Sequence, residues 1–303
     1  MNPKVSVVIP TYNRPDLITR SVKSVLNQTY DNFEVVVIDN NTDDKTEKAV
    51  KSLNDSRIKY IRNTSKTNAP ASRNIGVKKS NNDTKYVAFI DDDDEFFPTY
   101  LEKTVEALEK DDEMAMATTD TELRTKDGKK IRNARGSEYA YEQGIGNGVI
   151  VRKKIFTEEN FWFDENSKME DWDLGVRVLK DHKWKCIPEP LWIYYVYPGK
   201  GEATVTVTMP EEQVVAFFEK HYLYFRSLGK KPMAYLYFRT GKYFLRIGAT
   251  KKGLNNLYRA FLIYPNFEYL VSCGVSSISL IFPSIVHSNK LRVIKQKLFR
   301  GKF

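Results

Sequence analysis

The sequence predicts an α/β fold: Rossmann-like βαβ units around a mostly parallel mixed sheet, followed by a helical C-terminal region. Three observations carry this prediction. In the first hundred residues, short β-rich runs alternate with stretches of helical periodicity. One of those runs, Tyr86 to Ile90, ends in five consecutive acids, Asp91-Asp92-Asp93-Asp94-Glu95. From Glu211 onward the chain reads as helices. A chain of 303 residues with 41% hydrophobic content can hold one large domain and an appendage. The change of pattern places them at residues 1–205 and 206–303.

The elements follow in order. Val5, Val7, Val8 and Ile9 make a first strand, closed by a turn that runs to Pro15. Pro15 suits the first turn of a helix, with Asn13 or Arg14 near its cap. Leu17, Ile18, Val22, Val25 and Leu26 give that helix one apolar stripe. Strands are then expected over 33–38, 58–61 and 86–90, with helices over 43–53 and 69–79 between them. Unbroken apolar strands separated by helices indicate parallel pairing with both faces covered. Further strands are expected at 114–119, 147–152 and 191–197, and a helix after Asp171 through Leu174, Val176, Val178 and Leu179. Helices over 232–247 and 252–263 read as an antiparallel hairpin. Its expected inner face holds Leu236, Phe244, Leu257, Ala260 and Phe261.

Composition excludes several classes of protein. Only Cys186 and Cys273 are present, without metal-ligand spacing, which argues against a disulfide framework and fits a reducing compartment. His182, His221 and His287 are scattered and form no ligand pattern. With a first strand at Val5, no signal peptide is expected. The net charge of +9 is unevenly spread. Residues 229–303 carry 14 Lys and Arg against one acid, Glu268, whereas the other 228 residues hold 34 basic and 38 acidic groups. Within this basic part, residues 269–287 contain no Asp, Glu, Lys or Arg, and Lys290, Arg292, Lys295, Lys297, Arg300 and Lys302 follow. One reading is a buried C-terminal helix with a solvated basic end. The other is an interfacial or re-entrant element held on anionic lipid by the tail. The adjacency of apolar run and basic tail favours the second, a membrane-surface contact through 267–303. A nucleic-acid partner is not expected, since it would call for basic residues interleaved with aromatics on an exposed groove.

The acidic run carries the chemistry. Five adjacent carboxylates repel one another, and a hard divalent cation, Mg²⁺ or Mn²⁺, is a natural counter-charge. The plainer alternative is a solvated turn before a helix near Pro98, with acids favoured by its dipole. Thr11, Tyr12, Asn13 and Arg14 follow the first strand, and Asp39 and Asn40 follow the second. Arg73 belongs to the helix after the third. Open α/β sheets bind ligands beyond the carboxyl ends of their strands, where these residues gather. Singly, each has a plain explanation: a cap for Asn13, a turn for Asp39, a surface charge for Arg73. Together they provide an aromatic plate, a carboxylate acceptor, a guanidinium and a metal site, a set suited to a nucleoside diphosphate.

Five ordered motifs strengthen that reading: Val7-Val8-Ile9-Pro10-Thr11-Tyr12-Asn13-Arg14, Gln28-Thr29-Tyr30, Val36-Val37-Ile38-Asp39-Asn40-Asn41-Thr42-Asp43, Ala71-Ser72-Arg73-Asn74-Ile75-Gly76 and Phe89-Ile90-Asp91-Asp92-Asp93-Asp94. Across about residues 4–197, the chain resembles family 2 glycosyltransferases of the GT-A fold. The resemblance implies that Tyr12 stacks on the nucleotide base and Asp39 accepts from its imide N–H. Pro10, Thr11, Arg14 and Asp91 would border the same nucleotide, with Arg73 near base or diphosphate. Asp92 would reach the ribose, and Asp93 would bind the metal bridging the phosphates. The family often has a second acid and a Gly after the strand-two Asp, where this chain has Asn40-Asn41. A UDP-sugar donor is favoured, with a GDP-sugar also compatible. Lys168-Met169-Glu170-Asp171-Trp172 resembles the family's Glu-Asp signature, with Asp171 in the catalytic position. An N-cap role is the plain alternative for Asp171. Inverting transfer needs one carboxylate to take the acceptor's proton as its oxygen attacks the anomeric carbon.

The expected protein is thus a metal-dependent inverting glycosyltransferase at the cytoplasmic face of a membrane, peripheral or monotopic. Its expected acceptor is a polyprenyl-linked lipid or glycan. A transferase of capsule or other surface polysaccharide without lipid acceptor, and a nucleotide-binding module without turnover, remain as alternatives. Gly144-Ile145-Gly146-Asn147-Gly148 either shapes the sugar or acceptor pocket or is a plain loop. Phe161-Trp162-Phe163 either borders the acceptor or packs in the core.

Overall fold

The four apolar runs at the start of the chain pair side by side as parallel strands. They are β1 (Lys4–Thr11), β2 (Phe33–Asp39), β3 (Ile58–Arg62) and β4 (Thr84–Phe89). The computed structural model describes residues 4–64, 68–137, 139–197 and 209–281. They fall into two compact units, 4–166 with 170–197 and 167–169 with 209–281.

In the first unit the intervening helices are α1 (Pro15–Leu26), α2 (Lys45–Lys51) and α3 (Ala69–Lys79). Asn13 takes a left-handed φ of 54°, which asparagine tolerates, and Pro15 opens α1. Arg14 holds the cap position of α1 without a side-chain capping bond. Asn68 caps α3 by accepting from the Ala71 N–H. Then come β5 (Glu95–Phe96), α4 (Tyr100–Glu109), β6 (Met114–Thr125), β7 (Lys130–Ala134), β8 (Val149–Arg152), α5 (Lys154–Thr157), α6 (Glu170–Leu179) and β9 (Lys183–Val196). The sheet runs β3-β2-β1-β4-β8-β6-β9-β5, with β7 paired beside β6. β8 is antiparallel to both β4 and β6, and β9 is parallel to β6.

Alternate residues of each strand feed opposite faces, as the pleat requires. Val5, Val7, Ile9, Val35, Val37, Tyr86 and Ala88 pack with Ile18, Val22, Val25, Tyr100 and Leu101. Val8, Val36, Ile38, Val87 and Phe89 pack with Val77, Phe156, Phe163, Leu174 and Val178 on the other face. Phe163 thus belongs to the core, where it meets Phe89 edge-on at 5.3 Å between ring centroids.

Two elements run more than five residues beyond their expected ends. β9 begins at Lys183 instead of 191, and Pro188 and Pro190 mark where it slips register against β6. Prolines inside a strand survive at such bulges, and they hide the strand from a pattern search. β6 runs on to Thr125, and its half-exposed end pairs with the polar strand β7.

The second unit contains α7 (Glu211–Ser227), α8 (Lys230–Arg246), α9 (Thr250–Ile263) and α10 (Phe267–Ile281). Leu236, Phe244, Leu257 and Ala260 are buried as expected, but Phe261 is only half-buried. The reason is a close approach of α8 and α9. A Cβ on Gly253 would lie 3.0 Å from the Gly241 carbonyl oxygen. Gly253, Leu257 and Ala260 therefore define the buried stripe, and Phe261 sits one residue, about 100°, away from it. Among the described residues, no helix is long and apolar enough to cross a membrane. Of the charge-free run 269–287, residues 282–287 lie outside the described residues, as does the basic tail after it.

Candidate active site

Strand pairing brings the ends of β1, β2 and β4 to one edge, and the acidic loop 91–94 sits there under many constraints. Thr11, 3% exposed at the end of β1, donates its hydroxyl to Asp92 Oδ2 at 2.6 Å. The Arg14 guanidinium bonds Asp92 Oδ1 at 2.9 Å and Asp93 Oδ2 at 2.8 Å. Helix α1 holds the loop's backbone, with Ser21 Oγ donating to the Asp91 carbonyl and Arg20 Nη2 to the Asp93 carbonyl. Arg20 also lies over the Tyr195 ring at 3.9 Å and pairs with Glu95. From α3, the buried Arg73 reaches Asp91 Oδ1 at 2.9 Å and Glu170 Oε1 at 3.4 Å. Asp94 is buried, accepting from the Tyr195 N–H and from the Asn147 amide.

The loop is short of positive charge. Burial pushes the Asp92 carboxyl up to about 6; the Thr11 bond and Arg14 oppose the rise, while Asp93 and Asp91 add to it. Asp93 is raised by burial against the pull of Arg14. Asp94 is raised well above the usual carboxylate range by burial and then by Asp91. Hydrogen-bond donors alone would lower all three, so desolvation together with like charge is the stronger influence.

A divalent cation would relieve that deficit. Among the described residues, no three His, Cys, Asp or Glu side chains converge as a ready-made shell. Mg²⁺-type sites that work on phosphates need only one or two protein carboxylates, the remaining ligands being phosphate and water oxygens. The Asp93 carboxylate, 19% exposed, fits that donor set.

The other sequence-derived candidates divide into groups. Thr11, Arg14, Asp92 and Asp93 are joined by direct side-chain bonds, and Arg73 separately bonds Asp91. Pro10 is buried within β1 in register with Ile38, and Tyr12 projects beyond the strand, 67% exposed. Asp39 stands apart from the acidic loop. It is fully buried, accepting from the Tyr60 hydroxyl at 2.6 Å and the Asn41 N–H at 2.9 Å. Burial, and then Asp39, raise the Tyr60 hydroxyl above its usual range. Asn40 takes a structural part: its amide donates to Ser72 on α3 and accepts from Asn63 after β3.

At the start of α6, two adjacent acids face different ways. Glu170 turns onto Arg73, and its carboxyl is raised by burial and by Asp171, against the lowering effect of Arg73. Asp171 is exposed, and its Oδ1 accepts from the Trp172 N–H at 2.7 Å. Helix geometry explains the divergence, because consecutive residues point about 100° apart. Arg20, Ser21 and Tyr195 were missing from the sequence-derived set. Their signal is contact between distant elements, which no local pattern contains.

The sequence profile of Glycosyl transferase family 2 matches residues 6–177. The Escherichia coli enzyme UDP-Glc:alpha-D-GlcNAc-diphosphoundecaprenol beta-1,3-glucosyltransferase WfgD is 35% identical over 188 residues, 60% of this chain and 72% of that one. An uncharacterized glycosyltransferase of Rickettsia bellii is 48% identical over 109 residues, and there the chain spans only 15% of its relative's length. In three dimensions the chain is similar to the mannosyltransferase PcManGT of Pyrobaculum calidifontis, solved in complex with GDP-Man and Mn²⁺. The TM-score is 0.59 at 17% identity, covering 92% of this chain and 81% of that one. That likeness shows the GT-A fold expected from the motifs. With the family's profile spanning more than half of its residues, this chain belongs to the family 2 glycosyltransferases.

Proposed function

We propose that the protein is an inverting, metal-dependent glycosyltransferase that moves a sugar from a nucleotide diphosphate to an acceptor on a polyprenyl-linked lipid or glycan. The observation that carries this is the division of labour at the start of α6: Glu170 is committed to Arg73, and Asp171 is left facing solvent. In this reading residues 1–205 are the catalytic domain and 206–303 the membrane-associating region. Tyr12 stacks on the base. Asp39, fully buried under its bonds from Tyr60 and Asn41, has to be uncovered to accept from the imide N–H. Pro10, Thr11, Arg14, Arg73, Asp91 and Asp92 shape the ribose and diphosphate pocket, and Asp93 holds Mn²⁺ or Mg²⁺. The cation, when bound, stabilises negative charge on the leaving diphosphate. Asp171 takes the proton of the acceptor hydroxyl as its oxygen attacks from the face opposite the diphosphate. A UDP-sugar is favoured, in keeping with the named donor of the Escherichia coli relative, whose acceptor is lipid-linked. The complex of the Pyrobaculum enzyme keeps a GDP-sugar in view.

The test is transfer of label by the purified protein, supplied with Mn²⁺, a panel of UDP- and GDP-sugars and a polyprenyl-lipid extract. Label from one donor is expected in the organic phase, and chelator should abolish it. Free nucleotide without organic label would discard the lipid acceptor. Silence with every donor, with or without chelator, would leave only a nucleotide-binding module.

The same proposal places the protein on the cytoplasmic face of a membrane, peripheral or monotopic, through 267–303. The exposed Phe267 and Leu270 on α10 and the basic composition of 229–303 support this. Deleting 267–303 is expected to move the protein from the membrane pellet to the supernatant. Unchanged pelleting would end the idea.

A further inference from the structure

We propose that Asn147 is a positioning residue whose amide locks the acidic loop to the segment against which Asp171 is seated. This rests on reading Asp171 as the base. Asn147 Oδ1 accepts from the Asp91 N–H at 3.0 Å, and its Nδ2 donates to Asp94 Oδ2. The opposite end of the same loop grips the start of α6. The Ile145 N–H donates to the Asp171 carbonyl at 2.8 Å. A Cβ on Gly144 would lie 3.3 Å from that carbonyl, and one on Gly146 would lie 3.2 Å from Asp171 Cβ. One turn along α6, a Cβ on Gly175 would stand 2.1 Å from the Gln143 carbonyl oxygen, so that helix lies directly on the loop backbone. The Gly148 N–H bonds the Phe89 carbonyl at 2.9 Å, which anchors the loop to the last residue of β4. Residues 143–148 therefore span from the acidic loop to the base.

Position 147 demands an unusual side chain. It must present an acceptor to a backbone N–H and a donor to a buried carboxylate at the same time. A short primary amide does both, and those two partners fix which end is oxygen. Aspartate keeps the acceptor but turns the donor into a second carboxylate oxygen facing Asp94. The defect would displace segment 143–148, and the base with it, while Thr11, Arg14, Arg20, Ser21 and Arg73 keep the acidic loop in place. A misplacement of about 1 Å can lower a rate by roughly 10²-fold.

The experiment compares the parent protein, Asn147→Asp, and the double variant Asn147→Asp with Asp94→Asn, using the donor that the parent turns over. In the double variant the donor comes from residue 94, whose side-chain oxygen still accepts from the Tyr195 N–H. Asn147→Asp is expected to lower kcat by about 30- to 100-fold, with nucleotide affinity and donor KM within about threefold of parent. The double variant is expected to recover kcat to within about fivefold. A merely structural role would show as lost thermal stability, with kcat of the folded fraction unchanged. That result, a parental kcat in Asn147→Asp, an unrescued double variant, or a parallel loss of nucleotide affinity would each overturn the assignment while transfer by the parent stands. A parent that turns over no donor would instead overturn the functional reading, and the positioning role with it.

Discussion

Asp171→Asn is expected to bind nucleotide as the parent does and to lose about three orders of magnitude in transfer rate. General-base assistance contributes roughly 10²–10⁴-fold, and three decades correspond to about 4 kcal/mol of barrier. The substitution isolates that contribution. Asparagine can still accept from the Trp172 N–H, the Ile145 bond goes to the backbone carbonyl, and the Glu170–Arg73 pair is untouched. Only the ability to take up a proton disappears. Calorimetry with the nucleotide and turnover of the nucleotide sugar, measured on the same preparation, separate the two effects. Transfer within a few-fold of parent would place the base elsewhere.

Arg73→Met is expected to be the most destabilising single substitution in the site. Arg73 is enclosed between Asp91 and Glu170, with Asp171 also within electrostatic reach. Removing one partner of a buried ion pair costs about 3–5 kcal/mol, because a charge is left without compensation. Asp91 retains 35% side-chain exposure, which puts the expectation at the lower end, about 3 kcal/mol. For a unit of this size that lowers Tm by roughly 6–12 °C. The pH dependence has a definite sign. Burial and Asp171 already hold the Glu170 carboxyl above its ordinary range, and loss of the arginine raises it further. A carboxyl whose folded pKa lies above its unfolded value makes the fold bind protons more tightly, so stability falls as pH rises through that interval. The deficit of Arg73→Met should therefore shrink on acidification from about pH 7 to about pH 5. Thermal melts across that range decide it; a deficit that grows on acidification would mean that Arg73 does not neutralise these acids.

The legible and illegible parts of this protein differ for physical reasons. The strands at 5–9, 33–38 and 86–90 could be read because each is mostly apolar on both faces, as a strand between two helical layers must be. Ile58–Arg62 has weaker burial and stands at the sheet's edge, yet its β-branched residues still marked it. Strand β7, Lys130-Ile131-Arg132-Asn133-Ala134, has no such pattern, since β6 alone pairs with it and its side chains meet water. Within the site, the residues at strand ends announced themselves as charged or aromatic groups after apolar runs. The inward or outward choice between Glu170 and Asp171 was not written locally, and the position of Arg73 decides it. Asn40 was visible as a departure from the family pattern. Its bonds to Ser72 and Asn63 emerge only when the ends of β2 and β3 and the start of α3 are drawn together.

One reversed strand has a consequence for how such a protein can change. Phe89 pairs with Val149, so the chain leaves β4 and enters β8 at the same rim. Had β8 run parallel to β4, segment 143–148 would open at the far edge of the sheet, a strand's length from the acids. The reversal instead places a late segment of the chain opposite an early one. It joins stretches about fifty residues apart through the bonds of Asn147 to Asp91 and Asp94. The early side is woven into four parallel strands and tolerates little rewriting. The late side is tied to the early one through Asn147 and Gly148, so under the proposed reading a change at either would be felt at the base while the strands behind the acidic loop stay as they are.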